Sequence, residues 1–114
     1  MSTNQQQREQ LVQDGCRLIS TTSLTGCITY ANKYFCEVAG YTADELMGQN
    51  HNIVRHPDMP AAAFADLWKH LKADESWLGA VKNRCKNGDF YWVLAYVTPQ
   101  YNEAGKKIGY QSVR

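Results

Sequence analysis

Val81-Lys82-Asn83-Arg84-Cys85-Lys86-Asn87-Gly88-Asp89-Phe90-Tyr91-Trp92-Val93-Leu94-Ala95-Tyr96-Val97 reads as a β-hairpin. Asn87-Gly88 supplies residues that tolerate positive φ, and β-branched and aromatic residues follow it. Two turns fit the spacing. A two-residue turn at Asn87-Gly88 pairs Cys85 with Phe90. A three-residue turn over Lys86 to Gly88, with Gly88 left-handed, pairs Cys85 with Asp89. The choice flips every side chain of the second strand relative to the first. Asn83 shares a face with Trp92 and Leu94 in the first register, and with Tyr91, Val93 and Ala95 in the second. In both, Val81, Asn83 and Cys85 form one face of the first strand, and Lys82, Arg84 and Lys86 the other. The charged face is solvated, so Asn83 points to the core. A carboxamide left there without partners costs about 1–3 kcal/mol. Backbone, a buried water, or a ligand offering both a donor and an acceptor would satisfy it. The second strand is apolar on both faces. Both faces of the sheet are therefore expected to be covered, one by helices and the other by the N-terminal segment or a second subunit.

Upstream, Leu18 to Thr22 and Cys27 to Tyr30 are β-rich runs joined by the loop Ser23-Leu24-Thr25-Gly26. Asn32 is placed to cap a short helix that ends at Gly40. Thr42-Ala43-Asp44-Glu45 is a capping box, with Thr42 at the N-cap and Glu45 at N3. Asn50 to Pro57 lacks periodicity and reads as a loop. Asp58 is positioned to cap the longest helix, with Pro60 in its first turn. Phe64, Leu67, Trp68 and Leu71 then lie on one face, and the helix ends near Lys72 to Asp74. Downstream, Asn102 to Lys106 is a polar turn and Lys107 to Val113 a last strand. Gln5 to Cys16 carries a thin apolar stripe of Leu11, Val12 and Cys16, which gives a helix weakened by Gly15 or a tail. The expected division is an N-terminal cap helix or flexible tail over residues 1–17 and one domain over residues 18–114. Its element order implies an α+β domain with one antiparallel sheet of about five strands.

The composition agrees with one ordinary globular unit. The chain has 114 residues, 44% of them hydrophobic and 20% charged, enough to bury a core without staples. A net charge of +1 gives no electrostatic reason for a nucleic-acid partner or an anionic membrane. The cysteines are Cys16, Cys27, Cys36 and Cys85. They form no C-x-x-C pair, and free thiols in a reducing compartment are expected. No apolar run reaches the length of a membrane span, and no signal peptide is legible. The chain stops at Arg114 within a strand-like segment, as a fragment of a longer protein would.

Gly40-Tyr41-Thr42-Ala43-Asp44-Glu45-Leu46-Met47-Gly48, together with Lys86-Asn87-Gly88-Asp89 and the following Tyr91-Trp92-Val93, resembles a PAS domain. A narrower resemblance lies in His51-Asn52-Ile53-Val54-Arg55-His56-Pro57-Asp58-Met59-Pro60. With Ala62 to Trp68 and Val81 to Arg84, this stretch is similar to the input domain of bacterial aerotaxis receptors. The likeness extends over roughly Leu18 to Arg114, and Arg55 to Pro60 is shared with related chemotaxis transducers. It implies a five-stranded sheet with a helical wall around a pocket and a non-covalently bound FAD. The flavin would report redox state to a signalling module of the same polypeptide, as a cytoplasmic part of a membrane-associated receptor. The resemblance also favours the three-residue turn, which leaves Trp92, Leu94 and Tyr96 on the outer face as a contact surface for the N-terminal segment, a second subunit of a homodimer or the output module.

By resemblance, Asn32, Arg55, His56, Asp58, Trp68, Trp77 and Asn83 surround or support the flavin, and His51 joins them as a candidate. Their chemistry suits the group. Asn83 matches the donor–acceptor edge of the ring, Trp68 or Trp77 can stack on it, and Arg55 suits a phosphate. Structural roles stand beside these: Asp58 as a helix cap, His56 bonded to loop backbone, Trp68 as core. Photoreceptor relatives carry a reactive cysteine after Gly-x-Asn. Here Gly48-Gln49-Asn50 is followed by His51, which argues against a flavin–cysteine adduct. The alternatives are a haem-binding gas sensor, with His51 or His56 as axial ligand, and a cofactor-free interaction module. An enzyme is not expected, because no nucleophile, metal set or phosphate loop accompanies His56 and Asp58.

Overall fold

The computed structural model describes residues 8–12 and 15–114. Five strands form one sheet: β1 (Ile19–Ser23), β2 (Ile28–Ala31), β3 (Trp77–Arg84), β4 (Phe90–Tyr101) and β5 (Lys107–Val113). Their order is β2-β1-β5-β4-β3, with every pair antiparallel. This is the α+β sheet expected from the sequence. β4 runs on to Tyr101 and passes through Pro99. β3 has no partner past Val97, so Pro99 lies where β4 has a neighbour on one side only, a place that tolerates a residue without an N–H.

The chain leaves the sheet at one edge, β2, and re-enters at the other, β3, so the connection must cross the sheet's full width. Four inter-strand gaps amount to roughly 19 Å. The crossing is made by α1 (Lys33–Ala39), α2 (Ala43–Leu46), a single 3-10 turn over His51–Val54, and α3 (Ala61–Lys72). The 12 residues of α3 span about 18 Å. Asn32 caps α1 by accepting from the Phe35 N–H, and Gly40 ends it in the left-handed conformation. The capping box at Thr42 and Glu45 forms on both sides. Glu45 also pairs with Lys86, which ties α2 to the β3–β4 turn.

That turn takes the three-residue form. The Cys85 N–H donates to Asp89 O, the Gly88 N–H donates to Cys85 O, and Gly88 has φ 94. Asn83 is therefore opposite Tyr91, and Val81 opposite Val93. Tyr91, Val93, Ala95 and Val97 are buried, while Trp92, Leu94 and Tyr96 are 49%, 63% and 47% exposed. The helices cover the inner face. Among the described residues nothing covers the outer one, contrary to the expectation that both would be covered. The N-terminal segment lies elsewhere. Arg8 to Gln10 are extended, and they exchange hydrogen bonds with Phe90 at the start of β4. The helix expected over Gln5 to Cys16 is thus not formed at Arg8 to Val12, while Gln5 to Gln7, Gln13 and Asp14 lie outside the described residues.

Asp58 does not cap α3. Pro60 occupies the N-cap position with no side-chain bond. The residue before a proline is held extended, so the chain arrives at α3 from a turn closed by Met59 N–H to His56 O. Asp58 sits in that turn and meets Lys82 at 3.1 Å.

Candidate functional site

A cavity of about 450 Å³ lies at the centre of the domain, between α3 and the inner face of the sheet. The size falls within the range of small-molecule sites, ~300–1,000 Å³. The cavity accounts for an oddity of α3. Phe64, Leu67, Trp68 and Leu71 form the expected apolar stripe, yet only Leu71 is fully buried. The stripe lines the cavity, and its far rim meets the sheet at Tyr110. Trp77, Val81 and Asn83 of β3 and Tyr110 and Ser112 of β5 form the opposite wall.

The two indoles are fixed in different ways. Trp68 stands edge-on to Tyr110 at 5.5 Å. Trp77 donates its Nε1–H to Asp66 at 2.9 Å, which fastens the start of β3 to α3. Its six-membered ring lies over Gly79, where an added Cβ would come within 2.5 Å of the ring. Only glycine lets the indole lie flat against its own strand.

Asn83 is 2% exposed, and the carboxamide is oriented by its neighbours. Its NH2 donates to the Val54 carbonyl at 3.1 Å, and its oxygen accepts from the Arg114 guanidinium. Beside it, the Tyr91 hydroxyl is buried without a hydrogen-bond partner of good geometry, and burial pushes its pKa up to about 12. His51 sits 3.1 Å from the Ser20 hydroxyl and edge-on to Phe35. Burial, helped by the Arg114 charge, holds its pKa down at about 3, so the imidazole stays neutral. The Arg55 guanidinium lies 3.9 Å over the Phe64 ring.

Five of the eight residues singled out in the sequence therefore line the cavity: His51, Arg55, Trp68, Trp77 and Asn83. Asn32, His56 and Asp58 do not. Asn32 is consumed by scaffolding, since it caps α1 and bonds Ile19 N–H and Arg17 O. His56 is fully buried but faces Phe90 and accepts from the Asp58 N–H. Asp58 is exposed and turned to Lys82. The sequence reading missed Arg114. The legible signal was the alternation Tyr110, Ser112, Arg114, which puts polar groups on an inward strand face.

The cavity is cationic. Arg55 and Arg114 line it, and no Asp or Glu does. Among the described residues no cluster of side chains could hold a metal ion, and no helix is long and apolar enough to cross a membrane.

Residues 28–114 match the family described as the PAS fold. The chain is 58% identical over 101 residues to the aerotaxis receptor of Escherichia coli, covering 89% of this chain and 20% of that protein. It is 29% identical over 104 residues to a nitrogen fixation regulatory protein of Klebsiella pneumoniae, covering 91% and 21%. The chain thus spans about a fifth of the length of these relatives. Among solved structures, the PAS domain of a Colwellia psychrerythraea protein superposes with a TM-score of 0.76 at 23% identity, covering 85% of this chain and 82% of that one.

Proposed function

The chain belongs to the PAS fold family, and from that premise we propose that it is the FAD-binding input domain of an aerotaxis-type receptor. It is a sensory domain homologous to part of a receptor, not an enzyme. The observation that carries the cofactor reading is the character of the cavity, with aromatic walls, two guanidinium groups and no carboxylate. That set fits a flat ring carrying an anionic pyrophosphate. The flavin, when bound, supplies a redox-responsive ring. The residues of this chain hold and orient it. Trp68 and Trp77 would hold the ring, Arg55 would neutralise phosphate charge, and His51 would offer a neutral imidazole. Asn83 fixes the polar edge of the pocket. Asn32, His56 and Asp58 support the wall from behind, by capping α1 and shaping the loop that carries Arg55.

The signal route in this reading runs through the sheet. Asn83 and Lys82 are neighbours on β3, and Lys82 is paired with Trp92 on β4. A change in hydrogen bonding at the inner face is therefore one residue from the outer apolar face. In a homodimer that face would meet a second copy, and in the receptor the output module. The domain would lie on the cytoplasmic side. Purified protein, denatured after its absorption spectrum is taken, should release one FAD per chain. A Soret band would favour the haem alternative with His51 as ligand, and failure to take up FAD on reconstitution would sink the proposal.

A further inference from the structure

Arg114 is the inward-facing residue after Ser112 on β5, and its guanidinium sits on the cavity wall. Its backbone is locked in place, because the Leu18 and Arg114 amides each donate to the other's carbonyl at 3.0 Å. Its side chain is locked as well. Nε donates to the Ser112 hydroxyl at 2.7 Å, and Nη1 donates to the Asn83 oxygen. The aromatic ring of Phe35 lies 5.8 Å from the guanidinium carbon.

A guanidinium has five N–H donors. One goes to Ser112 and one to Asn83, so three have no protein partner among the described residues. No Asp or Glu of the described residues lies within ion-pair distance of it. Nor does the rest of the polar lining neutralise it. His51 is held neutral, and Tyr91 keeps its proton. A half-buried cation on a cavity wall, with donors to spare, is stabilised when a group in the cavity accepts them. Asn83 spends one acceptor site on Arg114 and one donor on Val54, which leaves it one of each, against three free donors on the guanidinium. The group that faces a ligand here is therefore not the carboxamide alone but the guanidinium the carboxamide holds.

We infer that Arg114 is the residue that reads the polar edge of the bound ring, donating to its carbonyl oxygens, and that Asn83 acts chiefly as the positioning residue for Arg114. The inference rests on the flavin reading of the pocket and deepens it. It changes which ligand chemistry is selected. A fixed cation beside the imide edge favours an electron-rich, acceptor-bearing edge, and it favours loss of the imide proton.

The test uses the protein reconstituted with FAD, and compares Arg114→Met, Arg114→Lys and Asn83→Ala with the unsubstituted chain. Arg114→Met should weaken FAD binding about tenfold or more, the worth of a lost charged hydrogen bond. A second readout separates ligand reading from mere scaffolding. The absorbance change that marks ionisation of the ring's imide should move up by about 1 pH unit or more in Arg114→Met. Arg114→Lys, which keeps the charge, should leave the imide ionisation close to that of the unsubstituted protein while binding FAD more weakly. Asn83→Ala should resemble Arg114→Met, and the double substitution should be no worse than either alone. If Arg114→Met and Arg114→Lys both bind FAD as the unsubstituted protein does, with imide ionisation unmoved, this inference is wrong while the flavin reading stands. If the unsubstituted protein takes up no FAD, both fall. Should Arg114→Met fail to fold, Arg114→Lys decides the matter through FAD affinity, weaker binding supporting the inference and unchanged binding overturning it.

Discussion

His51 is a titratable side chain that the fold has made untitratable in the physiological range. Its pKa drops from 6.5 to about 3 because burial, and then the Arg114 charge, disfavour the imidazolium. In the unfolded chain the same residue takes a proton near pH 6.5. Between these values the unfolded state binds more protons, so stability falls as the pH falls from about 6.5 toward about 3. At pH 5 the loss due to His51 is about 2 kcal/mol. Burial lowers the His56 pKa too, which adds to the loss in the same direction. His51→Gln should therefore flatten the acid limb in part. Urea unfolding at pH 7 and pH 5 measures this, and an unchanged difference between the two would show that His51 is already protonated in the fold. At this scale the sequence was informative where neighbours in the chain set the context. Asn83 reads as inward because Lys82 and Arg84 flank it on a strand. Arg114 reads so only through the alternation with Tyr110 and Ser112 before it. Its burial depends on Asn83, Ser112 and Leu18, and an arginine at a strand tip is ordinarily solvated.

The elements were mostly legible because their boundaries are set by local chemistry. The Thr42 and Glu45 capping box, the Asn32 cap and the Asn87-Gly88 turn each satisfy nearby backbone groups, and all are formed. Asp58 failed as a cap because two prolines, Pro57 and Pro60, dictate the local path, and Lys82 competes for its carboxylate from a distant strand. The register of β3 against β4 was open to two readings, and the Cys85 N–H bond to Asp89 O, with Asn87 not left-handed, decides it. β3 carries a second glycine whose need is not legible in the chain: Gly79 is bare because the Trp77 ring covers it. Gly79→Ala should drive the indole off the strand and break its bond to Asp66, at a cost of about 1–3 kcal/mol typical of overpacking. A shifted tryptophan emission, together with weaker ligand retention, would report it. Wild-type emission and retention would show that the ring is not held there.

On the scale of the whole molecule, the sheet has one face under helices and, among the described residues, one bare. Trp92, Leu94 and Tyr96 are joined on that face by exposed Leu78, which is paired with Tyr96, an apolar patch of the kind that marks a contact surface. Leu94→Glu should lower self-association or signalling in the full receptor while leaving ligand binding intact. Lys82→Glu, on the same face, serves as the comparison. Analytical ultracentrifugation and a swimming-behaviour assay check this, and no change in either would mean the face is merely solvated. The sequence reading located these residues once the turn was chosen, but it could not say that Arg8 to Gln10 would pair with the β4 edge instead of covering them. The strand order has one more effect. The sheet's margins are β2, only four residues long, and β3, whose outward side chains include Lys82 and Arg84. A short margin and a charged one are poor templates for runaway strand addition. The margins thus oppose open-ended, amyloid-like stacking, and the proposed face-to-face pairing would be closed, able to saturate, reverse and carry a signal.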